Sequence, residues 1–594
     1  MPSASTRTSP YLDPSLSTDE RVEDLLARMT LLEKAGLFFH QMIEIGDNGT
    51  LSGPSTTYAL PGTEDMLLNK QINHFNVLHG SDPRTMAEWH NRIQECALSS
   101  RLGIPVTLST DPRHAFTDNP GASFTAGSFS QWPESLGLAA IGDENTVREF
   151  ADIARQEYLA VGLRVALHPQ IDLATEPRWA RIGGTFGEDA ELTSRLLTAY
   201  IKGFQTDQLG AEGVATMVKH FPGGGPQKDG EDPHFPYGRE QVYPGGNFDH
   251  HLLPFEAAFE AGASQVMPYY GMPVGTQYEE VAFGFNKGII TGLLREKYGF
   301  EGIVCADWNL IHDSVVWGEP QAARAWGVEH LSPSHRLAKA ISAGVDQFGG
   351  EHCPELLVEL VNSGRLSETR IDISARRVLR EKFILGLFDN PFVDPDLAAS
   401  TVAKTAFLEA GYDAQCQSLT VLTNGSESTV LPITGQPQIY VSNIDPAVAA
   451  QYGTITETPE QADIAVVRIK APFEPRQGAF EQFFHAGSLE FPPEDLAEVL
   501  GICSRVPTIV DIYLDRPAII PEIVHRAAAV VANYGASDEA LLDVLFGRRT
   551  ARGRLPFDLP SSTRAVEASR ADVPFDTDAP LFRFGHGLTL HRVD

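Results

Sequence analysis

The run Gly302-Ile303-Val304-Cys305-Ala306 ends in Asp307 and Trp308. A short apolar run bounded by a glycine reads as a buried strand. Residues at the C-terminal end of a barrel strand face the mouth where α/β barrels do their chemistry. A carboxylate there can act as a nucleophile, and the neighbouring indole offers a flat face for a sugar. Local sequence alone favours an Asp that caps the next helix, so the rest of the chain must supply the reason for the chemical reading. It does so by repetition. Asp111 follows an apolar run at 104–109, Lys219 and His220 follow one at 215–218, and Tyr270 follows one at 265–268.

The elements that would carry these residues alternate. Ser17 and Glu20 form a capping-box pattern ahead of Val22, Leu25, Leu26 and Met29 at helical spacing. Strands are expected at 72–78, 104–109, 165–168, 215–218, 265–268 and 302–306, with helices at 85–98, 146–161 and 287–297. Such alternation implies parallel strands joined by right-handed crossovers, hence a (β/α) barrel or a doubly wound sheet. The long Gly- and Pro-rich loop 221–246 lacks a GxxxxGK[ST] phrase and is not expected to cradle a nucleotide. Its Asp232 and His234 read as solvated loop residues rather than metal ligands. Helix-stopping residues accumulate from Gly386 to Pro395, which sets expected domains at 1–395 and 396–594. Beyond that boundary strands are expected at 419–422, 439–441, 464–469, 508–513 and 528–531, a second and smaller α/β unit.

Bulk properties narrow the partner. The chain has 594 residues and a formal charge of −32, from 46 basic and 78 acidic side chains. Such a surface repels nucleic acid and anionic membrane but costs a neutral sugar nothing. No apolar run approaches the ~20 residues that span a bilayer. The opening Met1–Arg7 lacks the apolar core of a signal peptide, so a cytoplasmic location is expected. Five cysteines are scattered without a CxxC pair, as expected for reduced, buried thiols rather than a structural zinc. No metal or organic cofactor is expected. The sequence leaves a homodimer open, in which a neighbour would lend loops to the site.

Six phrases in order give the chain its resemblance. They are Pro177-Arg178-Trp179-Ala180-Arg181 with Thr185-Phe186-Gly187-Glu188-Asp189; Lys219-His220-Phe221-Pro222-Gly223-Gly224; Gly299-Phe300-Glu301-Gly302-Ile303-Val304 before Ala306-Asp307-Trp308; Leu385-Gly386-Leu387-Phe388-Asp389-Asn390-Pro391; Gly553-Arg554-Leu555-Pro556-Phe557; and Phe584-Gly585-His586-Gly587-Leu588. Together they resemble glycoside hydrolase family 3 over nearly the whole chain. The resemblance implies an N-terminal (β/α)8-type TIM barrel followed by an α/β sandwich domain, with the active site between them. It also implies a retaining, exo-acting β-glycosidase. Two carboxylates are implied: one attacks the anomeric carbon while the other, kept protonated, hands a proton to the leaving oxygen.

By that resemblance Asp307 is the nucleophile and Trp308 a sugar platform. Asp111, Arg181, Lys219, His220 and Tyr270 are implied to bind the terminal sugar. The acid/base is sought on the loop after the strand at 464–469, with Glu474 the first choice and Glu481 the second. One branch of the family uses an Asp-His dyad on the Lys-His-Phe-Pro-Gly loop and prefers N-acetylglucosamine. Here that phrase continues Gly224-Gly225-Pro226-Gln227, a departure that argues against this specificity and leaves Asp232-Pro233-His234 to be checked. The expected activity is that of a β-glucosidase, with a β-xylosidase as the alternative inside the class. A non-catalytic carbohydrate binder and a glycosyl-transferring enzyme that uses phosphate are the alternatives outside it.

Overall fold

The computed structural model describes residues 9–118, 123–425 and 429–592; the opening Met1–Arg7 lies outside them. Eight parallel strands close a barrel: β1 (Phe39–Ile43), β2 (His74–Val77), β3 (Thr107–Thr110), β4 (Leu163–Ala166), β5 (Ala215–Phe221), β6 (Gln265–Pro268), β7 (Ile303–Ala306) and β8 (Gln347–Gly349). Six of them fall on runs the hydrophobic pattern singles out. The pattern passes over β1 and β8 because both carry buried polar residues. His40 and Gln41 in β1 and Gln347 in β8 are all shielded from solvent, and Gln347 uses its amide to donate to the Leu37 carbonyl at 3.0 Å. A barrel interior tolerates such residues when each finds a partner.

Helices wrap the barrel where the sequence places them. Helix α1 (Thr18–Arg28) starts at the Ser17–Glu20 capping box, α2 is Pro83–Leu98 and α3 is Glu144–Ala160. The segment expected to be an α-helix at 287–297 is instead wound as a π-helix, Gly288–Lys297. Helix α4 (Glu368–Ile384) buries Ile371, Ala375, Val378, Leu379 and Phe383 at helical spacing. Leu385 and Leu387, just beyond it, pack with Val165, Met217, Met267 and Cys305 and close the barrel floor. Arg21 pairs with Asp389 at 2.7 Å, tying α1 to the segment that leaves the barrel.

A separate six-stranded sheet forms the second unit. Its strands are β9 (Thr420–Asn424), β10 (Gln438–Ser442), β11 (Thr454–Ile455), β12 (Ile464–Lys470), β13 (Thr508–Tyr513) and β14 (Ala529–Asn533), in the order β9-β14-β13-β12-β10-β11. All neighbours are parallel except β9, which runs antiparallel to β14. Alternate residues of the strands go to opposite helix layers. Val466, Ile509 and Val531 pack with α5 (Thr405–Ser418) and α7 (Asp538–Leu545), whereas Ala465 and Val467 pack with Ile502 of α6 (Pro493–Cys503). This is an α/β sandwich.

The two units share a polar seam. Tyr513 donates to Glu134 at 2.6 Å, and the Asp572 carboxylate accepts from the backbone N–H groups of Gly245 and Asn247, each at 2.7 Å. Among the described residues, no helix is long and apolar enough to cross a membrane.

Candidate active site

The C-terminal ends of the barrel strands open into a cavity of about 320 Å³. Asp111, Arg181, Lys219, His220, Tyr270, Asp307 and Trp308 all line it, although their sequence positions span almost two hundred residues. The barrel brings them together because each lies at or just beyond the end of a strand, except Arg181, which stands on the long loop after β4.

Asp307 follows β7 and is 7 % exposed. Its Oδ1 accepts from the Trp308 N–H at 2.8 Å, while Oδ2 has no hydrogen-bond partner among the described residues and lies 3.9 Å from His220 Nε2. One oxygen is therefore fixed and the other is free to react. Trp308 packs against the His40 ring at 5.6 Å. Gly349 makes room for it, since a Cβ there would sit 2.4 Å from the indole. The Tyr270 hydroxyl donates to the Trp308 carbonyl at 2.8 Å, which fixes the segment from below.

On the opposite wall, Lys219 Nζ donates to Asp111 Oδ1 at 2.8 Å and Asn76 donates to Oδ2 at 3.1 Å. Burial pushes the Asp111 carboxyl up, but Lys219, Asn76 and Arg181 outweigh it and hold the pKa below the usual carboxylate range. The result is an ionised acceptor able to grip hydroxyls. A bulge in the β5–β6 register between Lys219 and Phe221 turns His220 off the strand's regular alternation. His220 lies with Nδ1 2.7 Å from Asp172 Oδ2 and Nε2 3.0 Å from Arg181 Nη1. Burial, reinforced by Arg181, lowers its pKa well below 6.5. Its imidazole is neutral, donating from Nδ1 and accepting the arginine's hydrogen bond at Nε2.

The loop 221–246 is not a solvated excursion. Asp232 is 2 % exposed, and His234, which lines the cavity, has a side chain 13 % exposed. Asp232 Oδ2 accepts from Trp179 Nε1 and the Tyr269 hydroxyl, both at 3.0 Å. Its Oδ1 accepts from the His234 backbone N–H at 3.0 Å and lies 2.5 Å from His234 Nδ1. Despite burial, His234 and Arg181 hold the Asp232 carboxyl far below the usual range. It is a permanent anion behind the imidazole. Burial in turn lowers the His234 pKa, partly opposed by Asp232. The pair corrects the solvated-loop reading: what buries it is the packing of His234 on Tyr270, Phe480 and Phe484, contacts made between distant segments.

Neither glutamate chosen from the sequence reaches the cavity. The Glu474 carboxylate, on an exposed residue, turns back onto its own loop and accepts from the Ser488 N–H at 3.2 Å. Glu481 accepts from the Tyr237 hydroxyl. The loop's contribution to the cavity is aromatic instead. Phe480 and Phe484 line it from the second domain, facing Trp317, which is 5.6 Å from Phe480 between ring centres. Trp317 is itself anchored by donation to the Tyr58 hydroxyl at 2.9 Å. Arg476 holds the loop on the barrel through Glu231 at 2.8 Å. These aromatic residues, with Asn76 and Arg324, carry no motif; only their position across the cavity marks them.

Comparison with known proteins finds two matches, which overlap over residues 318–381. Residues 63–381 match the glycosyl hydrolase family 3 N-terminal domain, and residues 318–590 match the family's C-terminal domain. The chain is 54 % identical to a probable beta-glucosidase C of Aspergillus flavus, over 98 % of this chain and 92 % of that protein. It is 43 % identical to a periplasmic beta-glucosidase/beta-xylosidase of Dickeya chrysanthemi, over 98 % and 92 %. Its fold superposes on a β-glucosidase structure from Erythrobacter marinus with a TM-score of 0.78 at 22 % identity, covering 98 % of this chain and 84 % of that one.

Proposed function

Since the chain belongs to glycosyl hydrolase family 3, we propose that it is a retaining, exo-acting β-glucosidase working through a covalent glycosyl-aspartate on Asp307. The observation that carries this reading is the Asp307 carboxylate, with one oxygen fixed and one unpartnered among the described residues, set among hydroxyl-binding groups in the cavity at the barrel mouth. The similarity to proteins named as β-glucosidases supports the choice of sugar.

The reaction divides into two balanced steps. Asp307 Oδ2 attacks the anomeric carbon as the glycosidic C–O bond breaks, and the leaving oxygen takes a proton. Water then attacks the glycosyl ester, gives up a proton to the same group and frees Asp307. We assign the proton carrier to His234, with Asp232 holding its Nδ1–H and stabilising the imidazolium. Asp111, Lys219, Arg181 and His220 grip the terminal sugar, and Trp308 packs beside it. Phe480, Phe484 and Trp317 form the aromatic wall that receives the aglycone.

The test is nitrophenol release from aryl β-glucoside, β-xyloside and β-N-acetylglucosaminide by the wild type and by Asp307→Ala. Preferred cleavage of the glucoside, abolished in the variant, is expected. A xyloside preference would favour the alternative suggested by the double name of the Dickeya relative. Full activity in Asp307→Ala would remove the central assignment, and a wild type that binds glucose without cleaving any of the three would point to a binding protein.

A further inference from the structure

A second cluster of chemically capable side chains lies outside the sugar cavity, on the loops that follow β7 and β8. His312, Glu351 and Cys353 place one ligand atom each within 4.8 Å of one another, and they form the one such trio of His, Cys, Asp or Glu among the described residues. None of the three lines the sugar cavity. We propose that they form a binding site for a divalent transition cation of the Zn²⁺ class.

The donor set selects the ion. Imidazole, thiolate and carboxylate together suit Zn²⁺ and its neighbours, whereas Ca²⁺ and Mg²⁺ take oxygen ligands. Glu351 is 3 % exposed and is already oriented. Its Oε1 accepts from the backbone N–H groups of Ile311 at 2.8 Å and His312 at 2.9 Å, which leaves Oε2 at 2.8 Å from His312 Nδ1. Ligands on a tetrahedral Zn²⁺ stand roughly 3.3–3.7 Å apart when metal–ligand bonds are about 2.0–2.3 Å. Opening the His312–Glu351 pair and drawing in the Cys353 sulfur by less than a bond length meets that geometry. The His312 side chain is 41 % exposed, so water can fill the fourth position.

Charge and protons balance simply. The cation takes the place of the proton between His312 Nδ1 and Glu351 Oε2; from a neutral imidazole that proton moves to the other ring nitrogen, and from the imidazolium it leaves to solvent. The Cys353 thiol becomes a thiolate, and its proton leaves to solvent. The segment Ile311–His312 lies four and five residues beyond Asp307, so an occupied site would fasten the loop that carries Trp308.

The experiment strips the full-length protein with a chelator, re-equilibrates it with Zn²⁺ or Co²⁺, removes free metal and measures bound metal per chain. Near one equivalent is expected, with a thiolate-to-Co²⁺ absorption band in the near ultraviolet and a rise in Tm that grows with free Zn²⁺. Cys353→Ser should lose the band. His312→Ala, at a partly exposed position chosen to spare the fold, should weaken Zn²⁺ binding by at least about tenfold, the smallest loss usual even for a partner one step removed from the metal. Wild type that binds no metal, or binds it equally in His312→Ala, would overturn the proposal and leave the trio as a loop-bracing His312–Glu351 pair beside a partly buried thiol.

Discussion

His234 Nδ1 lies 2.5 Å from Asp232 Oδ1, and the Asp232 carboxylate receives hydrogen bonds from Trp179, Tyr269 and the His234 backbone. This carboxylate is held in place from three sides and the imidazole it orients lines the sugar cavity. A histidine so placed can pass a proton without the second domain supplying a glutamate.

Removing the imidazole should therefore be costly in a diagnostic way. We expect His234→Ala to lower kcat/KM on alkyl glucosides by about 10²–10⁴, the range of general acid–base catalysis, and to lower it far less on nitrophenyl glucoside, whose leaving group departs without a proton. Azide should restore turnover of the nitrophenyl substrate. Glu474→Gln and Glu481→Gln should stay within about threefold of wild type, since neither side chain reaches the cavity. A large loss in either glutamate variant, with His234→Ala unaffected, would return the role to the second-domain loop.

The same pair sets a pH limb. Burial places the His234 pKa below 6.5, and the acid step needs the imidazolium. For alkyl glucosides kcat/KM should fall as pH rises through that pKa, whereas for nitrophenyl glucoside this limb should be shallow. Paired pH–rate profiles of wild type and Asp232→Asn check the point: loss of the anion should move the limb to lower pH.

Phe480→Ala tests the aromatic wall. An aromatic contact contributes about 0.5–1.5 kcal/mol, so KM for nitrophenyl glucoside should rise roughly two- to tenfold. Methyl glucoside, which has no ring to lose, should change less than twofold, and the deglycosylation rate should not change at all.

Stability should report on the domain seam. Burial raises the Glu134 carboxyl to about 8, above its value in the unfolded chain. Below about pH 4.5 both states carry the proton and nothing is lost. As pH rises to about 8, the unfolded chain ionises first, so this group lowers stability by up to about 1.4 kcal/mol per pH unit. Glu134→Gln keeps an acceptor for Tyr513 and cannot ionise. Its Tm should fall less than that of the wild type between about pH 5 and about pH 8, as followed by thermal melts across that range.

Local sequence determined most of the frame. Apolar runs at six of the eight barrel strands, the Ser17–Glu20 cap and five of the six strands of the second sheet, all but Thr454–Ile455, follow from periodicity and capping, which act over a few residues. The polar residues at strand ends were legible for the same reason. A strand's end faces the barrel mouth whatever the rest of the chain does, and Asp111, Lys219, His220, Tyr270 and Asp307 do converge there. Strands β1 and β8 escaped because His40, Gln41 and Gln347 interrupt the apolar signal, and their burial depends on partners far along the chain. Only the tertiary structure decided the remainder. It buried Asp232 and His234 beneath Tyr270 and Phe484, turned Glu474 onto Ser488, and brought His312 to Glu351 and Cys353. Each of these depends on which surfaces meet across the barrel mouth and the domain seam, and contacts at long sequence separation leave no mark in the spacing of neighbouring residues.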